Sequence, residues 1–290
     1  MSKTQAAQES GGCLYLVATP IGNLEDISLR ALRVLKEADL IACEDTRQTI
    51  KLLSHYDIHT RLESYHEHNE LTRAPELIIE LEQGAKIALV SDAGTPVISD
   101  PGHRLVALCL RHGIPVVPLP GPSALVAALA ASGLATDEFV FLGFLPSRAG
   151  ERRKVLRALA GEPRTLVLYE APHRLVEALE DALEILGNKP VVVAREITKL
   201  HEEFLRGHLE DVIAHLRKKP PRGEITLLLG PDDGEVRHAS PQDAMPMAQR
   251  VEEVMRERGV EQKAALKLVA RERGLTRREA YKAWLVSRSS

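Results

Sequence analysis

Lys86-Ile-Ala-Leu-Val90 runs directly into Ser91-Asp-Ala-Gly-Thr-Pro96, and this junction decides the fold. An apolar run after the helix-ending Gly84 reads as a strand. The Gly/Pro/polar loop at its carboxyl end reads as a ligand-facing turn. The same succession recurs on either side. Leu14–Ala18 enters Thr19-Pro-Ile-Gly-Asn23, Leu40–Cys43 enters Glu44-Asp-Thr-Arg47, and Pro115–Leu119 enters Pro120-Gly-Pro-Ser-Ala124. Helices lie between the strands: one is capped by Ser28 and carries apolar Leu29, Leu32, Val34 and Leu35, and another stops at Gly113. Such alternation predicts a mostly parallel sheet wrapped by helices.

A second α/β block starts near Phe139, with strands at 139–142, 165–169 and 191–195 and helices at 151–159 and 173–186. It turns β-rich afterwards, through 202–205, a helix at 209–216 and a strand at 225–229. Its loops read Tyr169-Glu-Ala-Pro172 and Arg195-Glu-Ile-Thr-Lys199. Six polar, Gly/Pro-rich loops at strand ends predict a ligand cleft between two α/β domains, 13–134 and 135–232. Glycines there permit positive φ and let backbone N–H groups approach a ligand. A Pro/Asp/Gly/Ser-rich linker at 233–246 and a small basic helical module at 247–290 complete the expected organisation.

The 290 residues are 44% hydrophobic and 27% charged, which excludes wholesale disorder. The formal charge is −3, but residues 261–290 carry eight Lys/Arg against three Glu, a local +5 that leaves −8 for the rest. An acidic enzyme body with a basic tail is the resulting expectation. Cys13, Cys43 and Cys109 are scattered and form no C-x-x-C pair, so no disulfide framework or zinc ribbon is expected. Residues 1–12 lack an apolar core of signal-peptide type, and four prolines interrupt the charge-free stretch 114–135. A cytoplasmic chain without a membrane span is expected.

Absent motifs narrow the chemistry. Neither G-x-x-x-x-G-K-[ST] nor a helix-opening G-x-G-x-x-G occurs. Ser123 lacks the second glycine of a nucleophile elbow and is read as the start of the following Ala/Leu helix. His55, His59, His66 and His68 invite a metal reading, but a turn at 57–60 breaks the helical face and H-E-x-x-H is absent, so no metal is expected.

In order along the chain, Ala18-Thr-Pro-Ile-Gly-Asn-Leu-Glu-Asp26, Glu44-Asp-Thr-Arg47, Ser91-Asp-Ala-Gly-Thr-Pro-Val-Ile-Ser-Asp-Pro-Gly102, Pro120–Ala124, Gly143-Phe-Leu-Pro146, Tyr169-Glu-Ala-Pro-His-Arg174, Ala194–Lys199 and Gly223-Glu224 resemble one family closely. It is the ribosomal RNA small-subunit methyltransferase I family, which uses the tetrapyrrole-methylase fold. The resemblance implies an enzyme that transfers a methyl group from S-adenosylmethionine to the ribose 2′-hydroxyl of a cytidine in the decoding region of small-subunit ribosomal RNA. It also implies that Asp92, Ala93, Gly94, Pro96, Ser123, Ala124, Tyr169, Glu224 and Ile225 line the donor pocket. Pro20, Gly22, Asn23 and Arg47 then belong to the acceptor side. The first loop, Thr-Pro-Ile-Gly-Asn, departs from the Gly-rich loop of other tetrapyrrole methylases and favours the ribosomal branch. Glu170, Glu196 and Lys199 are candidates for base or orienter, and Arg47 and Arg195 for phosphate contacts. An ion pair of Glu196 with Arg195 or Lys199 is the competing reading. RNA, naked or in the assembled subunit, is the expected partner, and a homodimer the expected assembly. A small-acceptor methylase and a non-catalytic RNA-binding assembly factor are the alternatives.

The tail is read as two helices, 261–271 and 276–285, with one apolar stripe at Ala264, Ala265, Leu268 and Val269 and another at Ala280, Tyr281 and Trp284. Lys263, Lys267, Arg271, Arg273, Arg277, Arg278 and Lys282 would decorate its surface and grip RNA phosphates, with Trp284 in its core.

Overall fold

A computed structural model of the chain describes residues 11–231, 245–272, 275 and 277–288. The chain forms two compact units divided between Gly234 and Glu235, and both sheets lie in the first. The expected linker lies mostly outside the described residues, as do Met1–Ser10 and Gly274.

The first sheet contains β1 (Cys13–Val17), β2 (Leu40–Cys43), β3 (Leu62–Ser64), β4 (Lys86–Val90) and β5 (Val116–Leu119). Its order is β3-β2-β4-β1-β5, with every pair parallel. α1 (Leu29–Glu37), α2 (Thr46–His55), α3 (Glu70–Glu82) and α4 (His103–Arg111) connect the strands. Strands covered on both faces read as continuous apolar runs, and here successive residues divide between two cores. Leu40, Ala42, Ile87 and Leu89 face one core, while Ile41, Cys43, Ala88 and Val90 face the other. Ser28 caps α1 as expected, its Oγ accepting from the Ala31 N–H at 3.1 Å. Leu29, expected on the apolar stripe, is 86% exposed. Two residues on a helix are roughly 200° apart, so Leu29 points opposite to buried Ala31. All three cysteines are buried free thiols.

The second sheet contains β6 (Phe139–Phe144), β7 (Thr165–Glu170), β8 (Pro190–Arg195), β9 (Glu203–His208) and β10 (Ile225–Leu229), in the order β6-β7-β10-β8-β9. Only β6 and β7 are parallel; β10 runs antiparallel between β7 and β8. This sheet is therefore mixed, and strand alternation alone does not disclose it. The inserted strand brings Ile225 opposite both Glu170 and Arg195, so two strand ends and one strand beginning meet at one edge. α5 (Ala124–Ser132) follows the first sheet's β5 and packs on β7, β8 and β10 of the second. Arg206 of β9 closes its carboxyl end by donating to the carbonyls of Ala131 (2.6 Å) and Ser132 (3.1 Å).

α6 (Ala149–Ala158), α7 (Leu175–Leu186) and α8 (Leu209–Lys218) complete this part of the chain. Arg152 on α6 and Asp181 on α7 are joined at 2.6 Å with side chains only 3% and 5% exposed. Burial raises the Asp181 carboxyl, but bonds from Arg153 and Arg152 outweigh it and hold the group below its ordinary range. Asp181→Ala removes the short partner of the buried Arg152 and leaves it only the longer contact to the exposed Glu177 at 3.8 Å, an expected loss of about 3 kcal/mol in urea unfolding. Arg152→Met with Asp181→Leu should recover much of it.

Among its described residues the second unit holds three helices, α9 (Met247–Arg258), α10 (Gln262–Glu272) and α11 (Arg277–Arg288), where two were expected. α9 supplies Met247, Val251 and Val254, which pack with Ala265, Val269, Ala280 and Trp284. Trp284 is core, as expected. Ala264 and Tyr281 are exposed, because α9 covers the other side of each stripe. Lys263, Lys267, Arg278 and Lys282 are exposed; Arg273 lies outside the described residues, as do the side chains of Arg271 and Arg277.

Candidate active site

A cavity of about 340 Å³ opens where the strand ends of the two sheets meet. On the first sheet's side, the β1 and β4 loops are stitched together: the Thr19 N–H donates to the Gly94 carbonyl and the Gly94 N–H to the Thr19 carbonyl, both at 2.9 Å. Thr19 Oγ1 adds a bond to the Ser91 carbonyl at 3.1 Å. Gly94 adopts φ +86° and lines the cavity with Asp92 and Ala93. Its N–H is spent on Thr19, so the expected role of that amide toward a ligand does not apply. Pro96 is buried behind the lining. Val97 and Ser99 also hold left-handed backbone, at φ +75° and +64°, a strain that surrounding structure must impose.

Ser123 caps α5, and with Ala124 it presents the helix amino terminus to the cavity. From the second sheet come Tyr169, Glu170, Glu224 and Ile225. Tyr169 packs at a tilt against Phe144 (centroids 5.7 Å apart, rings 57° apart), an aromatic wall not legible in the sequence because Phe144 sits where β6 shifts register. Glu170 accepts the Ala171 N–H at 2.7 Å and pairs with Arg174 through the same Oε1. Its Oε2 is buried without a partner.

The remaining candidates sit around this cavity and outside its lining. Glu196 Oε1 takes Lys199 Nζ at 2.8 Å and the Glu224 N–H at 2.9 Å, and Lys199 also reaches Glu224 at 3.0 Å. These bonds hold the Glu196 carboxyl below its ordinary range, which makes it a weak proton acceptor. The anticipated Glu196–Lys199 ion pair is thus present. Arg195 turns away to Glu203 (2.9 Å) and the Arg222 carbonyl (3.3 Å). Gly22 is pressed against the second sheet's loop, where a Cβ would lie 2.4 Å from Lys199 Cγ. Asn23 Oδ1 caps the turn at Leu24–Asp26. Pro20, half-buried, precedes the lining residue Ile21. Arg47, with its side chain 86% exposed, is chelated by Asp45 at 2.7 Å, and that pairing lowers the Asp45 carboxyl to about 2.

Asp100, within the Ser91–Gly102 motif, has no role legible in the sequence. It lines this cavity and a second one of about 660 Å³ that also contains Glu44, Glu67, Glu70, His103, Arg104 and Arg111. Burial, with Glu44 and Asp92 nearby, pushes the Asp100 carboxyl up to about 7. His55 ends α2 and Asp57 turns the chain at φ +51°, separating it from His59, whose ring meets Asp57 at 2.9 Å. Among the described residues no three His, Cys, Asp or Glu side chains converge as metal ligands, and no helix is long and apolar enough to cross a membrane.

The family model Tetrapyrrole (Corrin/Porphyrin) Methylases matches residues 13–213. A ribosomal RNA small subunit methyltransferase I from Halalkalibacterium halodurans is 49% identical over 96% of this chain and 98% of its own length. One from Thermotoga maritima is 52% identical over 218 residues, 75% of this chain and 98% of its own length. Among solved structures, the uroporphyrin-III C-methyl transferase of Thermus thermophilus complexed with S-adenyl homocysteine superposes with a TM-score of 0.55. It is 26% identical, and the match covers 76% of this chain and 97% of that one. A cobalt precorrin-4 methyltransferase shares the fold, with a TM-score of 0.57 at 19% identity over 75% and 94% of the two chains.

Proposed function

Since the chain belongs to the ribosomal RNA small subunit methyltransferase I family of tetrapyrrole methylases, we propose that it methylates the ribose 2′-hydroxyl of a cytidine in the decoding region of small-subunit ribosomal RNA, using S-adenosylmethionine. It acts in the cytoplasm as a homodimer, on naked RNA or the assembled subunit.

The observation that carries this reading is the cavity where the two sheets meet. Its volume suits a compact ligand. The orphaned Glu170 Oε2 calls for a donor such as an ammonium or a ribose hydroxyl. Tyr169 and Phe144 offer a face for a purine. Asp92, Asp100, Glu170 and Glu224 ring the cavity with carboxylates, a field suited to a cationic sulfonium. These residues fit the donor, which supplies a methyl group already activated for transfer. The chain's own task is alignment and removal of a proton from a poor nucleophile. Arg174 and the Ala171 amide hold Glu170 in place, and the Glu196–Lys199–Glu224 bonds brace the neighbouring strand ends.

Small-subunit RNA from a strain lacking this protein, treated with protein and donor, is expected to gain one 2′-O-methylcytidine by mass spectrometry. That position should resist alkaline cleavage, since its 2′-oxygen can no longer attack the neighbouring phosphate. A methyl group on the base, or on a tetrapyrrole in place of RNA, would refute the assignment.

A further inference from the structure

Asp100 stands in the wall shared by the donor cavity and the larger cavity beside it. Among the described residues, Ser99 and Asp100 alone line both. The strained backbone from Val97 to Ser99 and the φ +136° of Gly102 bracket it, so local geometry holds the carboxylate at this seam at a conformational cost. The larger cavity carries Arg104 and Arg111 on α4, cations suited to phosphates flanking a nucleoside, with the His103 ring beside them as a further hydrogen-bonding group. Glu44, Glu67 and Glu70 on its other side are acceptors for an exocyclic amino group.

We propose that the acceptor nucleoside occupies this larger cavity and that Asp100 takes the proton from its ribose hydroxyl. The inference rests on the methyl-transfer reading above. As the hydroxyl oxygen bonds to the methyl carbon, the carbon–sulfur bond breaks and its electron pair stays on sulfur. The proton passes to the Asp100 carboxylate and from there to solvent through the open cavity. The products are a methyl ether, a neutral thioether and a protonated Asp100 that must ionise again before the next turnover.

Position suits this task, and so does electrostatics. A base that works near neutral pH needs a proton affinity near neutrality, and Asp100 sits at about 7. Its surroundings are Glu44 after β2, Asp92 after β4, Tyr169 and Glu170 at the end of β7, Glu67 ahead of α3, Glu70 at its first residue, and His103, Arg104 and Arg111 of α4. A sulfonium entering the donor cavity adds a positive charge and favours ionised Asp100. By linkage, donor affinity must rise as pH climbs through 7, while affinity for the thioether product, neutral at sulfur, rises less.

Calorimetry and single-turnover kinetics on the full chain test this. S-adenosylmethionine is expected to bind about five- to tenfold tighter at pH 8.5 than at 5.5, with a smaller change for S-adenosylhomocysteine. Asp100→Asn should flatten the donor profile at the wild-type low-pH affinity. It should also cut the methyl-transfer rate by roughly 100-fold or more, and abolish the rise of rate with pH expected on the acid side in the wild type. Asp100→Glu keeps a carboxylate and should keep the pH-dependent donor binding, which decides the matter if the Asn variant does not fold. Rates within threefold of wild type in Asp100→Asn, or donor binding independent of pH in wild type or Asp100→Glu, would overturn the proposal. A wild type with the expected binding profile that methylates a different hydroxyl, and no RNA, upholds Asp100 and refutes the RNA reading.

Discussion

Gly94→Val is expected to lower S-adenosylmethionine affinity by about 100-fold or more, equivalent to roughly 2.8 kcal/mol. Gly94 holds φ +86°, a conformation that a β-branched residue adopts only under strain. Its amide and carbonyl are both committed to Thr19, so the backbone cannot rotate away without opening the stitch between the β1 and β4 loops. A Cβ would meet Ile21 Cγ2 at 3.4 Å, an ordinary contact, and the two further methyl groups of valine then extend toward the donor cavity or push Ile21 into it. Gly94→Ala carries most of the backbone strain with none of the extra bulk and separates the two causes: its loss should be about tenfold smaller. Isothermal calorimetry on folded variants measures both, and an unchanged affinity in Gly94→Val would remove the donor from this cavity.

Removal of the chain from Glu235 onward is expected to leave donor affinity nearly unchanged while weakening RNA binding and flattening its salt dependence. The residues lining the cavity proposed for the donor all lie in the first unit, and a Thermotoga maritima relative is accounted for over 98% of its length by 218 aligned residues. The second unit exposes Lys263, Lys267 and Arg278 around a hollow shared with Tyr281, and exposes Lys282 next to that tyrosine in the chain. If those four cations contact phosphates, their loss should reduce the slope of log affinity against log salt by about 3. Between 50 and 200 mM salt that is a difference of roughly 50- to 100-fold in how far affinity falls. Filter binding with small-subunit RNA across a salt series reads it, and identical slopes for full-length and truncated protein would make the module a bystander.

The parts of the fold and site that were legible in the sequence are those governed by local chemistry. Apolar runs at 40–43, 86–90 and 225–229 are strands with those limits, because a segment buried on both faces must be continuously apolar. Ser28 and Ser123 cap helices because a hydroxyl at that position satisfies an amide the helix cannot. Polar Gly/Pro loops following strands collect at one edge, and most of the anticipated donor residues line the cavity there. Other features depend on partners distant in the chain. Nothing near residue 225 announces that β10 runs antiparallel between β7 and β8, yet that insertion sets Glu224 and Ile225 beside Glu170. Arg195 looks like a free cation in sequence, but Glu203 on the neighbouring strand engages it. Leu29 and Tyr281 are apolar by type and exposed by helical phase and by the position of α9. Asp100 is one carboxylate in a motif until folding surrounds it with Glu44 and Asp92 and withdraws solvent from it. Sequence alone determined where the chain turns, which segments must be buried and which family it resembles, since periodicity, capping and turn chemistry act over a few residues. Tertiary structure decided which charges are already paired and which carboxylate is held near neutrality, since Coulomb interactions and desolvation depend on distances through space that no local pattern encodes.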